Sequence, residues 1–174
     1  MSEHPDDHIT ALPQSELTAE QLLAKLSELI ISTTDANELT KDAVEAIFGV
    51  HLEQYEEDVF DYGARLTSDW NVAISVSNFE SSGPTVTLRF FPGASRDDLT
   101  MTDICGVDAA AFGTQLEQAG FIGRPATDVH GLQHYGTKYR RGSLQITVLT
   151  KREATEPPEM RSHACVETVQ IQGQ

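Results

Sequence analysis

Apolar residues recur at helical spacing twice near the start of the chain. Leu22, Leu23, Leu26, Leu29 and Ile30 form one stripe, the spacing of an amphipathic helix. Thr18 is a good N-cap, Gln21 completes a capping box, and Leu17 is placed to staple against Leu22. The polar run 32–37 ends this element. Leu39-Thr40 repeats the staple-and-cap arrangement before Val44, Ile47 and Phe48, and Gly49 stops the second helix. Two short helices joined by a polar turn predict an αα-hairpin whose apolar face needs a cover.

The period then changes from 3.6 to 2. Phe60, Tyr62, Ala64 and Leu66 alternate with polar residues, as do Val72, Ile74 and Val76, and Val86, Leu88 and Phe90 up to Pro92. Three such runs separated by turn residues predict an antiparallel meander with one buried face. Residues 92–98 read as a loop. Asp108 caps a third helix through Phe112, Leu116 and Ala119, with Gly120 as its stop. A second meander follows from 133–139, the turn Arg141-Gly142, then Leu144, Ile146 and Val148. Residues 152–160 read as an exposed connection. Cys165, Glu167, Val169 and Ile171 predict a last strand, with a glutamate at one inward position. The order αα-βββ-α-βββ implies an α+β fold, an antiparallel sheet with helices packed on one face. Both halves run from helix to meander, although no residue-level repeat is visible. Residues 1–16 are polar, hold two prolines and show no period, so they read as a disordered acidic tail ahead of a single domain over 17–174.

Charge changes the picture more than composition does. The net charge is −15, and it is unevenly spread. Residues 1–61 hold fifteen Asp/Glu against Lys25 and Lys41, a balance of −13; residues 62–174 hold twelve against ten Lys/Arg, a balance of −2. Such a field repels nucleic acid and anionic membrane and steers basic partners inward. No apolar stretch is long enough to cross a bilayer. Glu3, Asp6 and Asp7 stand where a secretory signal carries positive charge, so a cytoplasmic location is expected. In that compartment Cys105 and Cys165 read as two buried small hydrophobes rather than a bridge.

Candidate chemistry is sparse. There is no G-x-S-x-G and no phosphate-binding glycine loop, so neither a nucleotide nor another cofactor is expected. His130 and His134 have a metal-like spacing, but Gly131 and Gly136 argue against a helix there. On a strand the two imidazoles would lie about 13 Å apart, so packing or surface histidines and no metal are expected. The acidic segment Glu53, Glu56, Glu57, Asp58 and Asp61 lacks the pattern of a calcium loop. It is either a solvated face or a docking patch for Lys/Arg. Tyr55, Phe60 and Tyr62 interleave with it, as aromatic anchors do within a polar interface rim. Glu53, Tyr55, Glu56, Glu57, Asp58 and Asp61 are therefore the candidate partner-binding residues.

The run LTKDAVEAIFGVHLEQYEEDVFDYG, then a meander, VDAAAFGTQLEQAGF and Y-x-R-R-G-x-L-x-I-x-V, resembles the small acidic immunity proteins of bacterial toxin–immunity systems over about residues 38–150. The resemblance implies a non-enzymatic α+β domain that occludes the active site of a basic toxin. A nuclease is one such toxin, and the acids would mimic its substrate phosphates. An acidic secretion chaperone or adaptor, commonly a homodimer, is the alternative, and monomer or homodimer is left open. An enzyme using acidic residues with His130 or His134 ranks third.

Overall fold

The computed structural model describes residues 11–80, 82–93, 100–127, 134–151 and 164–173. Helices α1 (Ala19–Ser32) and α2 (Lys41–Phe48) come first, joined through a 3-10 turn at Ala36–Glu38. Strands β1 (Glu53–Glu56), β2 (Val59–Arg65), β3 (Trp70–Phe79) and β4 (Gly83–Pro92) follow, then α3 (Ala109–Gln118). The chain closes with β5 (Ile122–Thr127), β6 (His134–Arg141), β7 (Leu144–Lys151) and β8 (Cys165–Gly173). All eight strands form one antiparallel sheet in the order β1-β2-β3-β4-β8-β7-β6-β5. The fold is α+β, as expected, with the order αα-ββββ-α-ββββ. The strand order reads alike from both edges about the central β4–β8 pair, so the two helix-then-meander halves visible in the sequence meet back to back.

Local signals place the helices. Thr18 and Gln21 exchange the two capping-box hydrogen bonds at 3.2 and 2.9 Å, which satisfies two otherwise unpaired N–H groups of the first turn. Thr40 and Asp108 cap α2 and α3 in the same way, and Gly49 ends α2 in the left-handed conformation that glycine adopts without a Cβ penalty (φ 71°). The stripes Leu22–Ile30, Val44 and Phe48, and Phe112 and Leu116 join Val72, Ile74, Val86, Leu88, Phe90, Ile146, Val169 and Ile171 in one continuous core.

Four expectations need correction. Strand β1 was expected as part of an acidic face or loop, because four polar residues carry no apolar alternation. Strand β5 (IGRPAT) was missed because Gly123 and Pro125 read as turn residues; as the outermost strand it needs no hydrogen bonds on one side, so a proline is tolerated. The inward glutamate of β8 is removed by a register shift opposite Leu149/Thr150. Val166 and Thr168 both pair while Glu167 drops out, and Val166 takes the fully buried place. Residues 11–16, expected within an unstructured tail, are tied to β2: Ser15 N–H donates to Arg65 O at 2.8 Å and Arg65 N–H to Pro13 O at 2.7 Å. The rest of that tail, residues 1–10, lies outside the described residues, as do 152–160.

The cysteine reading is also corrected. Cys105 and Cys165 form a disulfide, their Cα atoms 5.0 Å apart, inside the range a bridge requires. The segment before α3 lies beside the start of β8, where Ala109 N–H donates to Ala164 O at 2.8 Å. A separation of sixty residues along the chain conceals that adjacency.

Candidate functional site

The acidic residues singled out in the sequence come together as the β1–β2 hairpin at one edge of the sheet. Glu45 on α2 sets its entrance. Its Oε1 accepts from Leu52 N–H at 2.7 Å and lies 3.0 Å from Lys41 Nζ and 2.9 Å from His51 Nδ1. The Leu52 hydrogen bond first, then that of Lys41, holds the Glu45 carboxyl below the usual glutamate range. A lowered folded pKa means stability present above the unfolded value and lost as pH falls through the folded one. Acidification through and below the usual glutamate range should therefore release this connection, seen as faster hydrogen exchange at Leu52 while the central β4 and β8 amides stay protected. Equal acceleration at all three would show global acid unfolding instead.

Within the hairpin, Glu53 stands directly opposite Asp61, and Glu56 opposite Val59. Glu57 and Asp58 form the turn, where Gln54 Nε2 donates to Glu57 O at 3.2 Å. A register shift between Gln54 and Glu56 leaves Tyr55 unpaired and 74% exposed. Two carboxylates directly opposed across strands are destabilising in isolation. Asp61 Oδ1 is shielded from solvent and accepts no hydrogen bond from the described residues.

Beside this pair opens a cleft of about 540 Å³, bounded by residues 11–13 on one side and the hairpin on the other. Glu53 and Asp61 supply its negative charge; Tyr55, Tyr62 and His51 supply its rings. A Lys or Arg side chain would meet both a charge partner and an aromatic face there. The wall formed by Leu12 and Pro13 was missed because those residues sit in a polar stretch. Their proximity to Gly63, which leaves room for the Leu12 side chain, arises only from the pairing along β2.

The other candidates do not join this site. His134 lies on β6, and His130 is outside the described residues. Among the described residues no group of three or more His, Cys, Asp or Glu could hold a metal ion, and no helix is long and apolar enough to cross a membrane. Comparison with known proteins finds no protein-family model that matches the chain, no curated protein similar in sequence and no solved structure similar in fold.

Proposed function

We propose that this chain is a binding protein, not an enzyme, and that it docks a basic protein partner on the β1–β2 edge. The observation that carries this reading is the opposed pair Glu53 and Asp61 beside exposed Tyr55, all three lining one cleft. A lysine or arginine entering the cleft would relieve the carboxylate repulsion. Glu56, Glu57 and Asp58 extend the negative rim, which raises the association rate and selects against acidic surfaces. The toxin–immunity role is the specific form that the sequence resemblance suggests, with the basic toxin as partner. The Cys105–Cys165 bridge favours an oxidising compartment over the cytoplasm.

Titration with a decalysine peptide tests the docking edge. Glu53→Lys combined with Asp61→Lys should weaken binding about tenfold or more, since the charges act on encounter and register. Thermal stability should stay within about 1 kcal/mol of wild type, since one like-charge cross-strand pair replaces another. Unchanged affinity would remove the reading, and a large loss of stability would make the pair structural.

A further inference from the structure

We infer that the open face of the sheet is a self-complementary surface on which a second copy of this chain docks, its two-fold axis parallel to the strands. Residues paired across neighbouring strands share a face, so the register follows each row of side chains from edge to edge. One row opposite the core begins with Glu53 and Asp61. Its middle is neutral: Ser75, Thr87, Gln170 and Thr147. It ends with Lys138 and Arg124. The next row runs from Glu56 through Val59, Ser77, Thr85, Gln172 and Gln145 to Arg140 and Ile122. These two rows are thus acidic at one edge, uncharged across their middle and basic at the other, within a chain whose net charge is −15, while the adjoining rows of the same face carry Arg89 on β4 and Arg65 on β2.

The basic edge is arranged as a receiving surface. Arg124 and Lys138 stand directly opposite one another, a like-charge pair that mirrors Glu53 and Asp61. With Arg140 and Ile122 they line a groove of about 490 Å³ that has no carboxylate among its described walls. Arg140 is held in place by Nε and Nη2, which donate to Gln145 Oε1 at 3.3 and 3.1 Å. Ile122 is 69% exposed beside them.

A two-fold axis along the strands reverses each row, so the acidic pole of one copy lies over the basic pole of the other, twice. An axis across the strands would set acid on acid. Seven strand spacings of about 4.8 Å and strands of about 20 Å give a face of roughly 700 Å², close to the area one partner contributes to a stable interface. The overall negative charge opposes association. However, a screening length of about 8 Å at physiological ionic strength leaves the facing charges to decide. This inference stands apart from the docking reading, and a basic partner would compete with the second copy for Glu53 and Asp61.

Sedimentation equilibrium tests it at about 0.1 M and about 1 M salt, where charges are screened over about 10 Å and about 3 Å. The wild-type chain should show twice its 19.1 kDa mass at the lower salt and shift toward one chain at the higher. Glu53→Lys/Asp61→Lys, which makes both poles basic, should be monomeric. Arg124→Glu/Lys138→Glu, which makes both poles acidic, should be monomeric as well. Mixing the two should restore the doubled mass as a heterodimer, a result that misfolded chains would not produce. The neutral pair Arg124→Gln/Lys138→Gln, with circular dichroism matching wild type, should weaken association about tenfold. A monomeric wild type at the lower salt, a dimer that persists in either reversed variant, or a mixture that stays monomeric would each overturn the inference. Decalysine binding by the wild type would then show whether the acidic edge still works alone.

Discussion

Replacing Cys105 and Cys165 with alanine should lower the stability of the fold by about 4 kcal/mol. The bridge closes a loop of sixty residues, and constraining a loop of that length in the unfolded chain contributes roughly that much in the chain-entropy description. It ties the segment before α3 to the first residue of β8, so it also joins one half of the molecule to a central strand. For a domain of this size the melting temperature should fall by about 10 °C. Calorimetry of the double variant, and of the wild type with and without reductant, measures it. A change below about 1 kcal/mol would mean that the Ala109–Ala164 hydrogen bond and α3 packing already hold the segment.

Arg141→Ala should cost about 3 kcal/mol, because its charged hydrogen bonds go to carbonyls that lack helical partners. Its Nη1 donates to Ala119 O at 3.0 Å at the end of α3. Its Nη2 lies 3.2 Å from Ile30 O and 2.6 Å from Thr33 O at the end of α1. The guanidinium also stacks 4.3 Å from the Phe121 ring centroid. One positive charge thus serves the negative ends of two helices at once and fixes both against β6. Arg141→Lys should recover little of the loss, since a single ammonium cannot span both helix ends as the planar fork does. Urea denaturation of the three proteins tests this; full recovery by lysine would reduce Arg141 to a simple charge.

Helix boundaries were legible in the sequence because their causes are local. Thr18 with Gln21, Thr40, Asp108 and Gly49 each act on residues within four positions. The runs Val72–Val76 and Val86–Phe90 showed their buried face directly, since alternation against one core needs no knowledge of the partner strand. The six candidate partner-binding residues were likewise visible as a charge block with an aromatic, and the structure gathers them on one hairpin.

What the sequence alone determined, then, is which segments are helical, which strands have an apolar face, and where negative charge concentrates. Only the tertiary structure decided the rest. Strands β1 and β5 exist because a neighbour supplies their hydrogen bonds, not because their own side chains alternate. Glu167 leaves the inward row because a bulge shifts the phase of β8. Cys105 meets Cys165, and Leu12 meets Gly63, through pairings between distant parts of the chain. The opposition of Glu53 to Asp61, and of Arg124 to Lys138 at the far edge, is likewise a product of strand register. Register depends on turn geometry and on which face each strand buries against its neighbours, and both are settled only when the strands meet.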